Sequence, residues 1–310
     1  MSFLEKTNSF LGRFLPITTP LAVALGFLLP GVFIHLRPFV PWLFAVMTLS
    51  GAIKLKASEL GDAIKNPLPI FLFFFTSHII MPVMALFASS FLIPNDDITT
   101  GFVLLFAGPT AVSGFIWVIL FKGDMALWLI LILLDTILAP IVVPATVTII
   151  RGTGVIMDMS GIIISLLLMI VIPTVIGVTL NQTSKGKIPR AINPVLDPLS
   201  KIFLMCVIAA NTSAVASDIH FNDPLVWKTA VLCIILTTIG FLLSKLNGII
   251  GKCSKEKTTA LFVSGGLRNN SAVMTIAVAF FPHMTVLPII LSIVFQQLIM
   301  AIMGKVLIKK

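Results

Sequence analysis

Apolar runs of about 17–25 residues, the length that crosses a bilayer core, recur along the whole chain and alternate with short polar or basic loops. They fall at 15–34, 38–53, 68–93, 99–121, 125–150, 157–180, 196–217, 225–248, 257–282 and 284–308. The pattern predicts an all-α polytopic membrane protein of ten transmembrane helices. Two runs are interrupted. Helix four carries Phe106-Ala-Gly-Pro-Thr110-Ala-Val-Ser113-Gly114, and helix nine carries Phe262-Val-Ser-Gly265-Gly266-Leu-Arg268-Asn269-Asn270-Ser271, about 156 residues later. Broken spans at matching places in two halves point to a transporter binding site. Five helices per half make the second half enter from the opposite side. The expected organisation is therefore two inverted repeats, 1–152 and 153–310, with helices four and nine crossing.

Composition agrees with this pattern. Of 310 residues, 58% are hydrophobic and 11% charged, whereas a soluble domain carries roughly 25% charged residues. The first apolar run ends near Pro30 without a small-residue cleavage site, so it reads as a retained helix, not a signal peptide. The three cysteines, Cys206, Cys233 and Cys253, have no disulfide or metal spacing. A net charge of +9 does not indicate nucleic acid, because the basic residues sit in the loops. Seventeen lie on the side holding both termini and the loops at 54–67, 122–124, 181–201 and 245–257; Arg37, Arg151 and Lys228 lie opposite. That asymmetry places both termini in the cytoplasm and the chain in a cytoplasmic membrane.

The remaining basic residue, Arg268, sits inside an apolar span, where a guanidinium costs at least ~2.5–3.5 kcal/mol. It needs a partner, and Asp135 is the best buried carboxylate on offer. Asp135 lies eleven residues after Asp124, roughly 16 Å into the core at 1.5 Å per residue. Arg268, His78, Ser113 and Gln296-Gln297 come to a similar depth. Five helices thus bring their strongest polar groups to one level.

Each group has two readings. Asp135 is either a structural partner of Arg268 or a proton-titrating group. His78 is open between packing and proton transfer, since imidazole titrates near neutral pH. Gln296 and Gln297 either bond neighbouring helices or line the site. Unwinding frees backbone N–H and C=O groups, tolerated at this depth only where they line a cavity or meet ligands. The half-helix starting near Asn269 presents its positive end there, next to Arg268. An anion is the expected cargo, with Thr110, Ser113, Asn211, Thr212, Asn269, Asn270, Ser271 and Gln297 as candidate substrate contacts.

These features resemble the bile acid:sodium symporter family over essentially the whole chain. The resemblance rests on the crossing interrupted helices, the Asn270-Ser271 pair after the second break, Met81-Pro82, and Ala139-Pro140 with Pro144. It implies a secondary transporter of an organic anion, bile-acid-like or pantoate-like, working by alternating access as a monomer in the lipid bilayer. It also implies two sodium sites behind the crossover. The family's site carboxylate falls on Gly265, its flanking Gln on Asn269, its Ser-Asn pair on Ser113-Gly114 and its helix-three Gln on Ser77. Of those ligands only Ser113 and Thr136 keep suitable oxygen. The expectation is a carrier without cofactor and with degenerate sodium sites near Ser113, Thr136 and Gly265. Arg268 then acts as a tethered cation compensated by Asp135, with His78, Ser77, Thr136 and Gln296 around it. The alternative is sodium or proton coupling with Asp135 as the replacement carboxylate. A channel would need a continuous polar stripe, and a hydrolase built on Ser113 and His78 would need an oriented base; neither pattern is present.

Overall fold

The computed structural model describes residues 17–55, 67–151 and 158–308. Lys6, Arg13, most of the 54–67 loop, the 152/153 repeat boundary, Lys309 and Lys310 lie outside them. All regular structure among the described residues is helical: α1 Ile17–Leu28, α2 Pro30–Ala52, α3 Leu68–Leu92, α4 Asp96–Ala107, α5 Gly114–Leu120, α6 Met125–Arg151, α7 Met159–Thr183, α8 Lys187–Ser213, α9 Pro224–Ile250, α10 Lys255–Gly266, α11 Asn270–Phe280 and α12 His283–Leu307. Seven of these, α2, α3, α6, α7, α8, α9 and α12, are long and apolar enough to cross a membrane.

Helix starts follow local chemistry. The Asn95 side chain accepts the Ile98 N–H, Asp223 the Leu225 N–H, Ser254 the Lys257 N–H and Asn269 the Ala272 N–H. Each satisfies a backbone donor that a helix leaves orphaned at its first turn. Helices four and nine of the sequence reading are interrupted as expected, at Gly108–Ser113 and at Leu267–Asn269. Two boundaries differ. The first span ends at Leu28, and the chain is helical again from Pro30. Helix seven starts at Lys187, not 196, because Ile188, Ile192, Val195 and Leu199 recur at helical spacing between Arg190, Asn193 and Asp197. This amphipathic lead-in is invisible to a search for continuous apolarity. Pro140 and Pro144 sit within an unbroken α6.

By contacts, the chain forms two compact units, each drawing elements from both halves of the sequence. One holds α1, α2, α7 from Ile164 and α8. Within it a side chain at Gly26 would meet the Ala209 carbonyl and Thr212 at 2.6 Å, so α1 lies directly on α8. The other holds α3 to α6 and α9 to α12. Its core is α10 and α11, where every residue from Thr259 to Gly266 and from Asn270 to Val278 is buried. Trp128, Phe102, Phe241 and Phe262 fill the space around them.

Gly266 is what lets α10 approach α9 so closely. A Cβ there would fall 1.9 Å from the Phe241 ring, which is itself buried against Phe262. Overpacking of this kind costs about 1–3 kcal/mol. Gly266→Ala is therefore expected to lower the thermal unfolding temperature of the purified protein, with Phe241→Leu as a second-site change that restores part of it.

Candidate functional site

The two helix breaks in the larger unit pair with each other. Thr110 and Arg268 form an antiparallel bridge. The Ala111 N–H donates to the Leu267 carbonyl at 3.0 Å and the Asn269 N–H to the Pro109 carbonyl at 2.7 Å. The Thr110 hydroxyl donates to the Ser264 carbonyl at 2.9 Å. Backbone groups freed by unwinding thus find partners in the opposite break, the condition for breaking helices inside a membrane. Gln296 completes this strand-like joint. Its Oε1 accepts the Arg268 N–H at 2.9 Å and its Nε2 donates to the Arg268 carbonyl at 3.0 Å. One glutamine side chain thereby acts as a β-partner for one residue.

The Arg268 guanidinium points into protein and is 2% exposed. Its Nη1 donates to the Gly108 carbonyl at 3.2 Å and its Nη2 to the Ser77 carbonyl at 3.4 Å, while Nε has no partner. The Ser77 carbonyl is available for a local reason. Residues Thr76–Ile80 form a π turn in which the Met81 N–H donates to the Thr76 carbonyl. The next acceptor in that register is Ser77, and its partner would be Pro82, which has no N–H.

Asp135 is 1% exposed and makes two direct contacts. Its Oδ1 lies 2.8 Å from His78 Nε2, and its Oδ2 accepts the Thr110 N–H at 2.7 Å. Among the described residues no hydrogen bond or ion pair joins the carboxylate to Arg268. The expected direct pairing of Arg268 with Asp135 is thus replaced by a relay: guanidinium to carbonyls, carboxylate to imidazole and to the first break. His78 stacks on Phe74, and its Nδ1 is buried without a partner.

The other candidates divide. Thr110 and Gln296 are structural joints of the crossover. Asn269 caps α11. Asn270 Nδ2 donates to Ser292 Oγ at 2.8 Å, and its Oδ1 is buried without a partner. Ser271 is buried and Ser113 half-buried in the first break; neither hydroxyl hydrogen-bonds a described residue. Thr136 is buried on α6 beside Asp135. Gln297 Oε1 accepts the Trp117 indole N–H at 2.9 Å, which ties α5 to α12. Asn211 and Thr212 are buried in the other unit. Sequence reasoning missed the Gly108 and Ser77 carbonyls, Ser292 and Ser244. The Gly108 carbonyl had a signal in the Gly-Pro break and the Ser77 carbonyl in a proline five residues on; Ser292 and Ser244 had none.

Two observations bear on a cation at this place. The Gly108 and Ser77 carbonyl oxygens, ligands of the type a hard cation takes, already accept from the guanidinium. At Gly265, a Cβ would fall 2.0 Å from Ser244 Oγ, so the space for a side chain at that position is already taken. The residues present do not fit a sodium site of the kind the resemblance implies.

A buried joint of two broken helices, carrying a fixed cation and a carboxylate amid apolar helices, is the architecture of a membrane transporter. The model of the Sodium Bile acid symporter family matches residues 40–220, and the chain belongs to that family. It is a multi-pass membrane protein and not an enzyme. It is 35% identical over 294 residues to "Uncharacterized protein YbaS" of Bacillus subtilis (strain 168), covering 94% of this chain and 96% of that one. It is also similar to "Uncharacterized sodium-dependent transporter YocS" of the same organism, 20% identical over 96% of this chain and 92% of that one. A third relative is "Probable sodium/metabolite cotransporter BASS1, chloroplastic" of Arabidopsis thaliana, 24% identical over 97% of this chain and 75% of that one.

Proposed function

We propose that the protein is a monomeric alternating-access carrier of a small or amphipathic organic anion in the cytoplasmic membrane, with both termini in the cytoplasm, and that Arg268 stands where sodium-coupled relatives hold the ion. The reading includes ten helices in two inverted repeats. Its support is that both breaks fall at corresponding places in the halves and that each compact unit takes elements from both halves. The observation that carries the coupling claim is the buried guanidinium bonded to the Gly108 and Ser77 carbonyls. A tethered cation holds the crossover together in every state of the cycle, so no sodium need enter or leave.

An anion is favoured because α11 begins at this joint, with the Ser271 N–H finding no acceptor among the described residues. The helix dipole adds to the charge of Arg268. Asn270 Oδ1 and the Ser271 and Ser113 hydroxyls offer polar contacts suited to a hydroxylated carboxylate, and Gln297 is a further candidate. The test begins with a thermal-shift screen of small organic acids, followed by uptake of the stabilising acid into proteoliposomes. Replacing sodium with choline is expected to leave initial uptake rates unchanged, and a large loss overturns the tethered-cation reading.

A second reading is favoured by the 2.8 Å contact between His78 and Asp135. A proton held at this pair would couple transport to the pH gradient, as proton relays in membranes are built from such groups. An inwardly directed pH gradient that accelerates uptake selects this version, and equal rates with and without the gradient select the uncoupled one.

A further inference from the structure

We propose that the groove between the end of α3 and the start of α9 binds an anionic phospholipid, with the phosphate on Lys228 and one acyl chain lying along α9. The groove has a volume of about 710 Å³ and is lined by Trp227, Lys228, Val231, Leu232 and Ile235 of α9, with Leu92, Asn222 and Pro224 beside them. All of these residues belong to one compact unit.

Three features fit this occupant. The first is length. The lining positions run down one face of α9 from Pro224 to Ile235, eleven residues or roughly 16 Å, which is about one leaflet of a ~30 Å core. The second is the level of the polar end. Trp227 is 60% exposed and its indole N–H donates to the Phe221 carbonyl at 2.9 Å. A tryptophan at the end of a span marks the headgroup region. The third is charge. Lys228 is exposed, is the one charged side chain lining the groove, and makes no hydrogen bond or ion pair with any described residue. The nearby Asp223 carboxylate turns back to its own helix, where it accepts the Leu225 N–H at 2.8 Å. Below Lys228 the wall is Val231, Leu232 and Ile235, which has nothing for a second polar group to bond. A lysine stem can lie along such a wall while its ammonium reaches the interface.

The experiment titrates the purified full-length protein in detergent with phosphatidylglycerol, reads thermal stability, and counts retained lipid by native mass spectrometry. Wild type is expected to hold phosphatidylglycerol above phosphatidylcholine. Lys228→Gln is expected to lower apparent affinity for phosphatidylglycerol about fivefold, the effect of one lysine at a lipid surface, with phosphatidylcholine unaffected. Val231→Trp keeps the charge and fills the groove at a position 58% exposed, so it is expected to reduce retention of both lipids without disturbing the fold. Unchanged phosphatidylglycerol binding in both variants overturns the proposal. So does stabilisation by cholate that exceeds that by phosphatidylglycerol and is lost in Lys228→Gln, because the groove then serves an amphipathic carboxylate.

Discussion

Arg268→Ala is expected to abolish transport and to lower the yield of monodisperse protein sharply. The change removes charge-assisted donors from the Gly108 and Ser77 carbonyls, each such bond contributing about 1.5–3 kcal/mol. It leaves Asp135 still held by His78 and the Thr110 N–H, so damage centres on the crossover carbonyls and on a local charge that becomes negative. Breaking a buried charge arrangement by removing one member costs roughly 3–5 kcal/mol, a large share of a stability of about 5–15 kcal/mol. Arg268→Lys keeps the charge but loses the planar fork that reaches two acceptors at once. It is expected to fold better than Arg268→Ala and to transport poorly. The vacated position in Arg268→Ala holds two carbonyl oxygens near a carboxylate, the donor set of a hard cation. Sodium chloride is therefore expected to raise its unfolding temperature relative to choline chloride, and to leave wild type unmoved. Normal transport by Arg268→Ala in choline removes the fixed charge from the mechanism.

Asp135, His78 and Arg268, expected at one depth, do lie buried in one unit, with contacts other than those expected. Asp135, His78 and Arg268 were legible because an ionisable side chain deep in an apolar span must be paired, and equal distances from the loops put them at one level. Which atoms meet depends on the rotation of each helix about its axis, and loop lengths do not carry that. Asp135 therefore pairs with His78 across α3 and α6, while Arg268 reaches backbone carbonyls that every residue type supplies equally. Beside the two breaks, written in their glycines and Pro109, the π turn at Thr76–Ile80 also has a written signal, in Pro82. Gln296, expected at the depth of Arg268, does meet it, but its role as a side-chain partner for the Arg268 backbone looks in sequence like any interhelical amide. The proposed repeats are continuous in sequence, whereas packing gathers α1 and α2 with most of α7 and α8. Chain order alone cannot show such grouping.

The pair Asp135→Asn and Asp135→Ala separates hydrogen bonding from charge at the same atoms. Asparagine keeps the shape: its carbonyl oxygen can accept the Thr110 N–H, and its amide can donate to His78 Nε2 once the imidazole proton sits on Nδ1. Folding is expected to stay near wild type. The charge balance does not survive, because Arg268 loses the carboxylate that acts on it through space. A permanently positive joint holds an anion without the means to release it, so turnover is expected to fall at least tenfold while affinity for the transported acid rises. Any pH dependence of wild-type uptake is expected to flatten in the same variant. Alanine removes the acceptor as well, orphaning the buried Thr110 N–H at a further ~1–3 kcal/mol and loosening the tie between α6 and the first break. It is expected to unfold at markedly lower temperature than the asparagine variant. The measurements are thermal unfolding of both proteins and uptake by Asp135→Asn at several pH values. Equal stability of the two shows that the Thr110 contact contributes nothing. Wild-type turnover by Asp135→Asn at every pH shows that neither compensation of Arg268 nor a proton at His78 takes part in transport.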